Sequence, residues 1–328
     1  MAALLWASAL ALILLQRWPH PPHRLELMLH FYPQGVLFWT LVAGVLGVFR
    51  LWQKMPGGSP FEPMAVIHWR TLLPTLLLGG IMLWPLVPYF QRPSMPLGPQ
   101  PAGTASVPEL RLVLANVLFT NPDPSTFGGW LAEHPADVVV IEELNRPFET
   151  LMDQHPDYPY REVVYTGDAF GIGVWSRQPI KVQTLSLGEA ALPSLAIQWG
   201  AEQGTQLPVS LLATHPLPPI EARYFAARNQ QYEALAAFLK TQPGPKLLVG
   251  DLNITPWSGY YRGLEQATGL RNSRQARGIL PSWPSHWPAL MRIPIDHVLW
   301  QGPWTSVHTE LGPDIGSDHL PVRVHFRP

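Results

Sequence analysis

The sequence predicts an apolar, membrane-type helical region followed by a water-soluble α/β domain, and three observations carry that prediction. Charge is the first: of 22 basic and 23 acidic residues, only six and two respectively precede Val107 in a chain of 328. Long uncharged runs early in the chain are the second. The third is the pattern after Val107, where short β-rich runs alternate with helical patterns. The length suggests roughly two domains of about 150 residues each. No internal repeat or low-complexity tract interrupts either part.

The uncharged runs are Met1 to Leu15, Phe31 to Phe49 and Thr71 to Phe90, and the last two have the roughly 20 residues that a helix needs to cross a bilayer. The first is short for a span. A signal peptide is the competing account, but no basic residue precedes the run and no A-x-A-like site follows it. Pro74, Pro85, Pro88 and Gly79-Gly80 would ruin a soluble helix and are tolerated in a transmembrane one. Residues 1–90 are therefore expected to hold about three transmembrane helices. Residues 91–107 come next as a tether with Pro93, Pro96, Pro99 and Pro101, and residues 108–328 as a domain long enough to bury its own core.

In that domain, polar residues gather at strand ends. The apolar runs Leu110 to Ala115 and Val138 to Ile141 end in Asn116 and Glu142-Glu143. Val209 to Thr214 ends in His215, and Lys246 to Gly250 ends in Asp251-Leu252-Asn253. Two later runs do the reverse: Asp296-His297 opens Val298 to Trp300, and Ser317-Asp318-His319 opens Leu320 to Phe326. If the later strands run antiparallel to the earlier ones, all six groups converge on one edge. Singly, each such residue is an ordinary turn former or helix cap. His297 follows Asp296 directly, so it should face the other side of its strand and be structural.

The chain has no cysteine, which excludes disulfides, thiolate zinc sites and a thiol nucleophile. A metal must then be held by oxygen or imidazole. Carboxylates with an Asn carbonyl form a hard site suited to Mg²⁺ or Mn²⁺, and the histidines remain for phosphate contact or proton transfer. Such a set suits attack of water on a phosphoester.

Asn116, Asp137-Val138-Val139-Val140-Ile141-Glu142-Glu143, Thr214-His215, Gly250-Asp251-Leu252-Asn253, Ile295-Asp296-His297 and Gly316-Ser317-Asp318-His319, in this order, resemble the endonuclease/exonuclease/phosphatase (DNase I-like) superfamily. The likeness extends to its bacterial members with N-terminal membrane helices, which Ser282-Trp283-Pro284 also resembles. It implies a four-layer sandwich of two mixed β-sheets flanked by helices. It further implies that Asn116, Glu143 and Asp318 serve a metal and that Asp251 orients or deprotonates the water. Asn253 and His215 would then meet the phosphate, with Asp296 and His319 as a dyad. The family pattern ends in Gln-Glu, so register from Asp137 selects Glu143 and puts Glu142 where Gln is usual. Arg228 and Gln231, three apart on a helix expected over Glu221 to Lys240, could reach the site, but long polar side chains favour the surface.

The resulting reading is a membrane-anchored, divalent-metal phosphoesterase. A catalytically silent module on the same fold and a transport protein are the alternatives, and the uncharged runs argue against the latter. The substrate is left open among a nucleic acid, a phospholipid headgroup and an inositol phosphate, and no protein partner is implied. From Val107 onward 16 basic residues face 21 acidic ones, a net of −5, whereas duplex binders present a basic face. Arg271, Arg274 and Arg277 are expected on a solvated loop. Arg50, Lys54 and Arg70 are matched in number by Arg17, Arg24 and Arg92, so the positive-inside rule does not decide orientation. With a cytoplasmic N-terminus, three spans are expected to place the domain on the periplasmic side of a bacterial inner membrane.

Overall fold

A computed structural model describes residues 2–52, 69–91, 107–200 and 208–328. Most of the expected tether, residues 92–106, lies outside the described residues, as do Lys54 and Arg92. The chain divides into two compact units, one of residues up to Pro88 with Trp257–Gly259, the other of Tyr89–Pro256 and Tyr260–Pro328.

In the first unit the three apolar runs are helical, with differences at their ends. Helix α1 (Ala2–Arg17) is too short for a full span, and a brief α2 (His23–Leu29) comes after it. Buried Glu26 there pairs with His30 at 3.1 Å. Helix α3 (Tyr32–Trp52) and the segment Thr71–Phe90 are long and apolar enough to cross a membrane. The latter is not one helix. Pro74 sits inside α4 (Trp69–Leu83), but Pro85 and Pro88 divide the rest of the segment into a 3-10 turn, Trp84–Leu86, and α5 (Val87–Phe90). Each proline lacks the N–H that would continue the helical ladder. Trp6 donates to Thr75 at 3.0 Å and Trp39 to the Leu5 carbonyl at 2.9 Å, joining α1 to α4 and α3.

The second unit is an α/β sandwich. Its described strands are β1 (Leu110–Asn116), β2 (Val138–Glu142), β3 (Tyr160–Val164), β4 (Ile172–Ser176), β5 (Ile180–Ser186) and β6 (Pro193–Trp199). The others are β7 (Val209–Thr214), β8 (Lys246–Asp251), β9 (Arg271–Asn272), β10 (Asp296–Gln301), β11 (Ser306–Leu311) and β12 (Val322–Arg327). They form two mixed six-stranded sheets, ordered β11-β12-β1-β2-β4-β3 and β5-β6-β7-β8-β10-β9. Helices α6 (Ser125–Glu133) and α7 (Arg146–Asp153) cover the first sheet, α8 (Ala222–Thr241) and α9 (Gly259–Thr268) the second.

The apolar strands lack a polar face because both of their faces are covered. Leu112, Leu114, Val138 and Val140 pack between the sheets with Leu211, Ala213, Leu247 and Val249. Their alternates Val113, Ala115, Val139 and Ile141 meet Phe127 and Phe148 of the outer helices, while Leu212 and Leu248 meet Tyr232 and Leu235. This is the two-residue period of a strand, read on both sides.

Topology then sets the site. β1 runs parallel to β2, and β7 to β8. β12 is antiparallel to β1, and β10 is antiparallel to β8 with Asp296 opposite Asp251. Strand ends and strand beginnings therefore share one edge. β12 begins at Val322, two residues later than the apolar run suggests, because Pro321 has no N–H for a ladder.

Candidate active site

Gly250 and Asp251 end β8 where segments from both sheets crowd together. A Cβ on Gly250 would lie 1.9 Å from the Thr214 carbonyl oxygen and 2.7 Å from Glu142 Oε1, so only glycine fits. The chain then turns tightly: the Asp251 carboxylate accepts the Asn253 N–H at 2.9 Å, and Asn253, at φ 52°, donates its amide to the Pro216 carbonyl at 3.0 Å. The turn fixes the backbone on the C-terminal side of Asp251.

Opposite Asp251, Asp296 begins β10 and holds His319. His319 Nδ1 lies 3.0 Å from both Asp296 oxygens, and the Ser282 hydroxyl donates to one of them. The Ser317 hydroxyl accepts the His319 N–H at 3.0 Å and donates to the Asn116 carbonyl at 2.8 Å, tying this segment to the first sheet. His319 Nε2 then points at Asp251 Oδ2, 3.6 Å away. Burial works against a charged imidazole, but Asp296 and Asp251 outweigh it and raise the His319 pKa. Burial raises the Asp251 pKa, with His319 opposing. His215, whose Nε2 is also 3.6 Å from Asp251 Oδ2, is held neutral near pKa 4 by burial and by the charge on His319.

The third group lies at the ends of β1 and β2. Asn116 donates to Glu143 Oε1 at 3.0 Å and to Asp251 Oδ2 at 3.4 Å, and the other Glu143 oxygen accepts the Phe119 N–H at 3.1 Å. β2 ends at Glu142, and Glu143 takes a left-handed backbone, φ 52°. Strict alternation would send these two neighbours to opposite faces, but ending the strand between them turns both toward the site. Glu142 Oε2 accepts the Asp251 N–H at 2.7 Å from a fully buried position. Burial and Asp251 raise its pKa well above the carboxylate range.

All eight residues singled out in the sequence lie in this cluster or border it. Asp318 is at its rim, half-buried, with Oδ2 accepting the Trp283 indole N–H at 3.0 Å and Oδ1 4.0 Å from His319 Nε2. His297 stands apart, as its register requires: Nε2 meets the Ile254 carbonyl at 2.8 Å and Nδ1 faces Arg274 at 3.5 Å. Two expectations fail. Arg228 and Gln231 are fully buried: Arg228 donates to the Asn253 carbonyl at 2.8 Å and to Asn229, and Gln231 donates to Thr214 at 3.2 Å. Arg274 is buried too, while Arg271 and Arg277 are exposed. The i, i+3 spacing on α8 was the visible signal for the first pair. Ser317 and Glu142 gain their roles from contacts that no local pattern announces.

The described residues include one tight set of candidate metal-binding groups, Asp251, Asp296 and His319, with ligand atoms within 4.8 Å of one another. Physically it is a poor cage. His319 already spends Nδ1 on Asp296 and carries positive charge, which repels a cation. Of the residues the sequence singles out for a metal, Asn116 Oδ1 accepts the Leu118 N–H at 3.1 Å and each Glu143 oxygen accepts one hydrogen bond. Asp318 Oδ1 is buried without a hydrogen-bond partner, and the whole set is hard and oxygen-rich, as a divalent cation requires.

Residues 113–319 match the Endonuclease/Exonuclease/phosphatase family, and the chain belongs to it. Members of that family are phosphoester hydrolases that depend on divalent metals, and this chain has their fold and enzyme class. Its fold is shared with TDP2 from Caenorhabditis elegans at 14% identity and TM-score 0.53, over 70% of this chain and 77% of that one. Sphingomyelinase C from Streptomyces griseocarneus matches at 18% identity and TM-score 0.50, over 68% and 100%. A humanized D. rerio TDP2 matches at 18% identity and TM-score 0.51, over 67% and 99%. No curated protein matches this chain in sequence.

Proposed function

We propose that the chain is a membrane-anchored phosphoesterase in which a divalent cation, Mg²⁺ or Mn²⁺, assists attack of water on a phosphodiester or phosphomonoester. The observation that carries this reading is the convergence of Asp251, the Asp296–His319 pair and the Asn116–Glu143 pair from two sheets within hydrogen-bond or ion-pair reach. Asn116, Glu143 and Asp318 would hold the cation, which when bound supplies charge neutralisation at the phosphate oxygens. Asp251, oriented by the N–H of Asn253 and accepting from Asn116, positions the water and takes its proton. His319, kept cationic by Asp296, presents Nε2–H to the charge that develops at phosphorus. Asn253 and neutral His215 flank Asp251 and contact the phosphate. Residues up to 90 form the membrane region, 91–107 the tether and 108–328 the catalytic domain.

The full chain, purified in detergent and assayed against phosphodiesters and phosphomonoesters with Mg²⁺ or Mn²⁺, should turn over at least one class and stop in excess chelator. Undiminished turnover in chelator removes the metal from this reading. With a cytoplasmic N-terminus and the short α1 inserted as a third span, the domain would lie on the periplasmic side of a bacterial inner membrane, and a reporter fused after Val107 that is active only in the cytoplasm would reverse that orientation.

A further inference from the structure

After Val107, among the described residues, seven large apolar side chains are at least 36% exposed, and three of them fall within five residues: Trp287 at 41%, Leu290 at 68% and Met291 at 45%. Scattered exposed apolar residues need no explanation, but a cluster does. This cluster sits on a built turn. Trp283 and Ile293 bridge its base, Trp287 N–H meets the Pro284 carbonyl at 3.0 Å, and Met291 N–H meets the Pro288 carbonyl at 2.8 Å. Arg292 clamps it through the Trp287 carbonyl at 2.7 Å and the Ser285 carbonyl. Its apolar side chains are therefore displayed by a hydrogen-bonded frame.

The turn is joined to the site by its base. Ser282 donates to Asp296, Trp283 to Asp318, and the Ser285 N–H meets the Asp318 carbonyl at 2.7 Å. Between Ser282 and Ile295 the sequence holds Arg292 and His286 and no acid, in a domain whose net charge is −5. An apolar tip with Trp at its edge and a basic fringe matches the boundary between acyl chains and phosphate headgroups. The chain also bounds where the domain can go. The 15 residues from 92 to 106 span at most about 55 Å when fully extended, so a domain tethered to spanning helices stays near the bilayer.

We infer that the Trp287–Met291 turn docks into the headgroup layer of a phospholipid bilayer and delivers a lipid phosphodiester to the site. This rests on the phosphoesterase reading and specifies its substrate class. In the reaction water gives its oxygen to phosphorus, one P–O ester bond breaks, and the leaving lipid or headgroup oxygen takes the proton.

The test has two arms, one of which does not depend on activity. Since the chain has no cysteine, Met291→Cys carries a single environment-sensitive fluorophore, and Thr166→Cys, on another exposed loop, is the control. The labelled full chain is reconstituted in phosphatidylcholine and phosphatidylglycerol vesicles, with and without brominated acyl chains. Quenching at 291 and not at 166 is expected, and equal or absent quenching overturns the docking. In the second arm, unlabelled protein is assayed on vesicle phospholipid and on soluble bis(p-nitrophenyl) phosphate. Replacing Trp287, Leu290 and Met291 with Ser should lower lipid turnover by about tenfold or more and leave the soluble substrate within about twofold. Soluble turnover without any lipid turnover overturns the lipid assignment alone, and lipid turnover that the triple variant leaves unchanged overturns the docking. Absence of both activities overturns the phosphoesterase reading, whatever the fluorescence shows.

Discussion

The buried carboxylate of Glu142 accepts the backbone N–H of Asp251 at 2.7 Å, while its neighbour Glu143 accepts from the Asn116 amide at 3.0 Å. Two adjacent acids thus have different tasks: one holds the backbone of the residue proposed to orient water, and the other offers its charge to a cation. Glu142 is driven toward its neutral form by burial and by Asp251, so glutamine is close to its native state in both size and charge. Glu142→Gln should keep activity within about twofold, because a single acceptor satisfies the Asp251 N–H. Glu143→Gln should raise the Mg²⁺ concentration for half activity by about tenfold or more, since a hard cation needs the carboxylate. A Mg²⁺ titration of both variants that ranks them the other way round overturns the assignment.

Asp296 and His319 make one unit, with Nδ1 shared between the two carboxylate oxygens. Removing either leaves the other without a purpose, so their losses should not add. Turnover of Asp296→Ala with His319→Ala should fall little below that of His319→Ala alone. A double variant whose loss is the product of the single losses assigns them independent roles.

Arg228 supports the phosphate side from below. Its guanidinium donates to the Asn253 carbonyl and to the Asn229 amide oxygen from a fully buried site. Lysine preserves the charge but lacks the planar fork that serves both acceptors. Arg228→Lys should destabilise the fold by about 2–4 kcal/mol and reduce turnover, because the left-handed turn at Asn253 loses its anchor. An unfolding midpoint and a specific activity equal to wild type would show that the fork is dispensable.

His297 gives the domain a pH signature away from the chemistry. Burial, then the nearby Arg274 charge, lower its pKa to about 3. The unfolded chain takes up a proton below about pH 6.5 that the folded chain refuses, so stability is lost as pH falls from there toward 3. At pH 5 the difference amounts to about 2 kcal/mol. His297→Gln removes that titration while leaving a donor for the Ile254 carbonyl. The decline of the unfolding midpoint between pH 7 and pH 5 should be shallower in the variant, and identical slopes would assign the acid sensitivity to other groups.

Six of the twelve described strands, β1, β2, β7, β8, β10 and β12, were legible in the sequence, as was the gathering of their polar ends. Stretches such as Leu112 to Ala115 and Leu247 to Val249 are apolar at every position because both faces are covered, and the residues that end their strands lie in turns at a shared edge. Spacing on α8 exposed the Arg228–Gln231 pair, and alternation on β10 separated His297 from Asp296. Burial was decided by tertiary structure alone. Arg228 and Arg274 look like surface cations, yet each finds carbonyl or side-chain acceptors inside, supplied by segments brought together only by the fold. The two glutamates show the same limit. Alternation allows one of them into the site, but the end of β2 and the left-handed backbone of Glu143 admit both. Where a strand stops depends on its partners across the sheet and on the N–H of Asp251 in the other sheet, 109 positions along the chain. Periodicity is local and visible in sequence, whereas the partners that neutralise a buried charge or end a strand exist only once the sheets have packed.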